Sequence, residues 1–145
     1  MFNAITTPTL TYGAESWIVN LKTESRITAQ QMKCLRKIAG HTRRDRIRNN
    51  VIREELGVTP IIETVEIKAL KWLGHVTRMK EERLPKRVME ARPNGGRGRP
   101  RMEWEEYMGK ITSKRGKTLK ETKKIAIDRD GYKKWIDPTL KGRRG

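Results

Sequence analysis

One cysteine and two histidines in 145 residues leave little material for a disulfide or metal scaffold. Cys34 stands alone, so no intrachain disulfide can form and a reducing compartment is expected. Cys34, His41 and His75 lack the C-x-x-C and H-x-x-x-H pairs of a zinc finger, and no metal site is expected. Long apolar runs are also missing. Nothing approaches the length of a membrane span, and no helical face is apolar without charge, which argues against a membrane partner. Met1-Phe2-Asn3-Ala4-Ile5 has neither a charged n-region nor a proper apolar core, so no signal peptide is read and a nuclear or cytoplasmic location, not secretion, is expected.

Hydrophobic residues are scarce as well, at 34% against 35% charged, which predicts a thin core held in the first two thirds of the chain. What is abundant is positive charge. Lys and Arg number 34 against 17 Asp and Glu, a formal net charge of +17, and the sequence pI is about 10.5. That excess exceeds what solubility requires and points to a polyanion, with nucleic acid the natural partner. Residues 1–90 carry 17 basic and 10 acidic side chains, and residues 91–145 carry 17 and 7, so both parts should touch it.

The pattern predicts a mostly α fold: a small helical bundle over 1–91, a basic Gly/Pro-rich linker over 92–101 and two further helices in a basic extension, 102–145. Leu10 to Val19 is a short apolar piece broken by Gly13. Thr23 should cap a helix with the stripe Ile27, Gln31, Cys34, Leu35 and Ile38, ended by Gly40, with Lys33, Arg36 and Lys37 on its other face. After the basic loop His41 to Arg48, Asn49 or Asn50 can cap a short helix that Gly57 stops. Pro85 opens another, to Ala91. Beyond the linker, Trp104, Tyr107, Met108 and Ile111 recur at helical spacing, and Thr118-Leu119-Lys120-Glu121 reads as a capping box opening one last helix to about Ile136.

The most informative helix runs from Thr59 as N-cap and Pro60 at the first position to about Met79. Ile61, Val65, Ala69, Trp72, Val76 and Met79 form one stripe, while Lys68, Lys71, His75 and Arg78 recur at the same spacing opposite. Such a helix suits a place between a small core and a polyanion. Trp17 and Trp72 are read as core residues, and His75 as a polar-face residue, since no carboxylate or second ligand accompanies it at a motif spacing.

The string Lys71-Trp72-Leu73-Gly74-His75-Val76-Thr77-Arg78-Met79 resembles a segment of non-LTR (LINE-type) retrotransposon reverse transcriptases, downstream of their catalytic palm. Tyr12-Gly13-Ala14-Glu15-Ser16-Trp17, Arg44-Asp45-Arg46-Ile47-Arg48-Asn49, Arg83-Leu84-Pro85-Lys86-Arg87 and Gly98-Arg99-Pro100-Arg101 are similar to further strings of the family, in the same order. Ala126-Ile127-Asp128-Arg129 resembles its A-x-D-R-x-x-W, with Gly131 and Tyr132 near the closing position and Trp135 a possible substitute. The same strings also resemble those of craniofacial development protein 2-like sequences. The resemblance implies a thumb that packs on the palm and grips template-primer, in a parent RNA-directed DNA polymerase with endonuclease that needs Mg. The family's Tyr-x-Asp-Asp centre and its endonuclease are not in these residues, so the chain alone is expected to bind no cofactor and to be no enzyme.

The residues expected to meet nucleic acid, whether RNA, DNA or hybrid, are Lys33, Arg36, Lys37, Arg43, Arg44, Arg46, Arg48, Lys68, Lys71, His75, Arg78, Arg97, Arg99 and Arg101. Four arginines within six residues, relieved only by Asp45, suit bidentate contact with phosphates. Arg97-Gly98-Arg99-Pro100 matches the core of an AT-hook, which makes a free-standing architectural DNA-binding protein the alternative, beside a decayed reading frame without function. Glu121, Asp128 and Asp130 are read as offsetting Lys123, Lys124 and Lys133 rather than holding metal.

Overall fold

The computed structural model describes residues 6–91 and 102–137. Met1–Ile5, on which the leader reading rests, and the linker with Arg97, Arg99 and Arg101 lie outside the described residues. The fold is mostly α. Among the described residues there are eight α-helices, one 3-10 turn and no strand. The elements are α1 (Thr7–Leu10), the 3-10 turn Ala14–Ser16, α2 (Leu21–Ala39), α3 (Asn49–Glu55), α4 (Ile61–Thr77), α5 (Leu84–Glu90), α6 (Trp104–Lys114), α7 (Leu119–Ile125) and α8 (Arg129–Ile136). The chain divides into two compact units, Met1–Ala14 with Val19–Glu66 and Glu15–Ile18 with Ile67–Gly145, the division falling inside α4.

In the first unit, α2 begins three residues earlier than the sequence suggests. The Asn20 side chain, not Thr23, is the cap, accepting the Thr23 amide at 2.9 Å. Its end is as expected, with Gly40 left-handed at φ 73°. The buried face of α2 is Gln31, Met32 and Leu35, while Ile38 is exposed and Ile27 and Cys34 are half-buried. Gln31 and Leu35 of the expected stripe are buried, and Met32 beside them goes inside while Ile38 stays out. Met32 and Leu35 join Ile52 of α3 and Val58 in the core, with Ala39, Ile47 and Leu56 packed at its edge. Each such buried aliphatic is worth about 1.5–3 kcal/mol.

Gln31, with Thr11, is a buried polar residue of this unit. The Gln31 Nε2 donates to Thr59 O at 2.8 Å, and its Oε1 accepts from the Ile61 amide at 3.2 Å and from Arg53 Nη2 at 3.3 Å. The Ile61 amide is one of the donors that the start of a helix leaves without an intrahelical partner. A glutamine from α2 thus closes the N-terminus of α4.

In the second unit, the buried residues of α4 are Ala69, Leu70, Leu73, Gly74 and Val76. Trp72, expected in the core, is half-buried, and so is Trp17. A side chain that large rarely disappears completely, and the smaller Leu70 and Leu73 take the interior. α6 buries Tyr107, Met108, Ile111 and Thr112, and Glu106 pairs with Lys110 one turn on at 2.8 Å.

The single last helix expected from Thr118 onward is two. Thr118 and Glu121 do form the capping box, but α7 ends at Ile125 and Asp128 caps a separate α8, accepting the amides of Asp130 and Gly131. Glu121 and Asp128 therefore serve as helix caps rather than as partners for Lys123, which instead pairs with Glu105 at 2.8 Å. Of the two α8 aromatics, Tyr132 enters the core and Trp135 is half-buried. The Tyr132 hydroxyl donates to Leu70 O at 2.7 Å, and Trp135 stacks on the Tyr132 ring with centroids 5.7 Å apart. Gly74 is required by that ring, since a β-carbon there would collide with Tyr132, whose Cδ1 lies 2.8 Å from the position.

Candidate nucleic-acid interface

The first basic surface belongs to α2 and the loop after it. Successive turns of α2 bring Lys33, Arg36 and Lys37 to one side, and with His41, Arg43 and Asn49 they line a concavity of about 630 Å³ whose only acidic side chain is Glu24. Arg36 is half-buried and works as a brace: its Nη2 donates to Asn49 Oδ1 at 2.7 Å and to Ile47 O at 3.4 Å, tying the far end of the loop back to the helix. His41 Nε2 lies 3.1 Å from Glu55 Oε2.

The loop is shaped by its own residues. The Asp45 carboxylate accepts from the Thr42 amide at 2.6 Å and from Thr42 Oγ1 at 2.9 Å. The amide bond chiefly, then the hydroxyl bond, hold the carboxyl below its ordinary pKa. Arg46 sits in the left-handed region at φ 51°, its amide meeting Arg43 O at 3.3 Å. For a residue with a β-carbon that conformation is costly, by roughly 1–2 kcal/mol. Arg43, Arg44, Arg46 and Arg48 are all exposed, but only Arg43 lines the concavity. Such a loop can offer several guanidinium forks to phosphates with its backbone already shaped, leaving the ordering cost to the arginine side chains.

The second basic surface is built from α4 and α8. Lys71, His75 and Arg78 of the expected face line a concavity of about 650 Å³ together with Arg129 and Lys133, with Tyr132, Ile136 and one acid, Asp130, completing it. Lys71, His75 and Arg78 are exposed, whereas Lys68 is half-buried. Arg78 is partly engaged, its Nη1 donating to Ala126 O at 2.6 Å. Burial raises the Tyr132 phenol well above its ordinary pKa, against smaller lowering effects of Arg78 and Arg115, so the wall stays neutral beside the cations.

Arg129 and Lys133 were missed from the sequence. Reading Asp128 as an N-cap would have placed them four residues apart on one face of a new helix. A smaller cleft of about 300 Å³ adjoins, lined by Glu15, Lys68, Lys71, Trp72 and His75. The Trp72 and His75 rings lie 5.5 Å apart at an interplanar angle of 39°. No helix among the described residues is long and apolar enough to cross a membrane.

The chain is similar to an uncharacterized transposon-derived protein of Caenorhabditis elegans, with 30% identity over 146 residues, an alignment covering 94% of this chain and 51% of that protein. It thus spans about half the length of the curated relative it matches. The similarity supports a transposon origin. No protein-family model matches the chain, and no solved structure matches it.

Proposed function

We propose that this chain is a nucleic-acid-binding part of a LINE-type reverse transcriptase, a thumb with its basic extension that holds template-primer through phosphates. The observation that carries the reading is the pair of concave basic surfaces, each with one acidic residue in its lining. Cations gathered in a concavity focus their field and attract a polyanion. The transposon-derived relative and the family strings around Trp17, Arg46 and Trp72 favour an element's enzyme as the source. In that reading the palm, which holds Mg and performs the chemistry, is the neighbour of these residues in the whole protein. The chain by itself binds in the nucleus or cytoplasm and neither extends a primer nor nicks DNA.

Competition titrations with A·T-rich duplex, G·C-rich duplex and RNA–DNA hybrid test this against the AT-hook reading. A phosphate grip binds A·T-rich and G·C-rich duplexes alike, because contacts with the backbone position without reading sequence. A strong A·T preference that disappears with Arg97→Ala and Arg99→Ala would instead assign the binding to the minor groove.

A further inference from the structure

The small cleft in the second unit brings Glu15 and Trp72, which the phosphate grip leaves unused, beside Lys68, Lys71 and His75. Glu15 comes from the 3-10 turn Ala14–Ser16, which follows the left-handed Gly13 at φ 69°. Lys68, Lys71, Trp72 and His75 come from consecutive turns of α4. In this cleft a carboxylate and two aromatic rings stand beside only two lysines, a proportion that a phosphate contact does not call for. A nucleobase has a use for all of these. Its π-face stacks on Trp or His, its backbone phosphate meets a lysine, and its amino edge donates to a carboxylate.

The geometry fits that division of labour. Trp72 is half-buried and His75 exposed, so the two neighbouring rings combine a fixed and an accessible aromatic surface. Lys71 and His75 line both this cleft and the larger basic concavity, so a strand whose phosphates follow the α4–α8 surface would bring a base to the cleft. At about 300 Å³, the space lies at the lower end of clefts that hold small molecules. That suits one heterocycle and not a stacked pair, and a base can enter only when it is out of a duplex.

We propose that Glu15, Lys68, Lys71, Trp72 and His75 form a pocket for one unpaired nucleobase of a single strand, with guanine preferred. Guanine offers a carboxylate two donors side by side, N1–H and the 2-amino group. Adenine and cytosine offer one amino group next to a repelling ring nitrogen, and uracil one N–H between two carbonyls. The inference rests on the nucleic-acid reading of the neighbouring surface and adds base selection to it.

The test measures affinities of the full chain for an all-uridine oligonucleotide, the same strand with one central guanosine, and a duplex. One guanosine should tighten binding about tenfold, the scale of one stacked and hydrogen-bonded base. Glu15→Gln should abolish that gain while leaving duplex affinity within about twofold. His75→Ala, at an exposed position, should weaken the guanosine strand more than the duplex, and Trp72→Phe should retain most of the gain that Trp72→Ala loses. Equal affinity for both strands, with duplex binding intact, overturns the base pocket and leaves the phosphate reading standing. No binding to strands or duplex overturns both.

Discussion

Gln31 holds the start of α4 with two bonds and accepts a third from Arg53 while 1% exposed. Gln31→Leu keeps the volume and the helix but leaves the Thr59 carbonyl and the Ile61 amide without this partner, so it should cost about 1–3 kcal/mol. Urea unfolding checks it, and an unchanged midpoint would contradict the role. The residue was legible only in part. Its place on a buried stripe follows from spacing, but its partners lie 28 and 30 residues away, beyond any local pattern.

Tyr132 makes a second prediction at this scale. Its folded-state pKa is raised, mainly by burial, so its stabilising effect is complete below the ordinary phenol value and is lost as pH climbs from there toward the folded value. The chain should therefore lose stability above about pH 10. Tyr132→Phe should remove that component of the alkaline loss, at a neutral-pH cost of about 1 kcal/mol for the bond to Leu70 O. Melting temperatures of both proteins across that range decide it.

Among the elements, α4 carries most of the argument. Its two faces were legible because apolar and basic residues both repeat at helical spacing. Which apolar side chains go fully inside was not, since spacing alone does not rank Trp72 against Leu73. With Leu73 fully buried and Trp72 half-buried, Leu73→Ala should cost about 2–5 kcal/mol and Trp72→Ala less. Lys71→Ala should change stability little. Chemical denaturation of the three variants tests the order, and a larger loss for Trp72→Ala would mean that the faces are misassigned. The α7–α8 break was hidden for a different reason. Asp128 looked like one more surface acid, and only its bonds to the Asp130 and Gly131 amides show a cap.

For the whole molecule, charge was the clearest signal, and the fold shows where it gathers. Lys33, Arg36 and Lys37 share one side of α2 and Arg43 of the following loop joins them, while Lys71, His75 and Arg78 line a second concavity. Arg129 and Lys133 joined the second group through tertiary packing that no local pattern encodes. A thin hydrophobic complement supports two small units, and a marginal stability is the expected consequence.

The central claim is that these basic surfaces grip phosphates, and the salt dependence of duplex binding tests it most directly. With six or more phosphate contacts, affinity should fall roughly a thousandfold between about 50 and about 200 mM salt. Replacing Arg43, Arg44, Arg46 and Arg48 together by Ala should flatten the slope of log affinity against log salt by as much as about 0.9 for each arginine that meets a phosphate. Binding that ignores salt, or a slope unchanged when all four arginines are gone, would contradict the account.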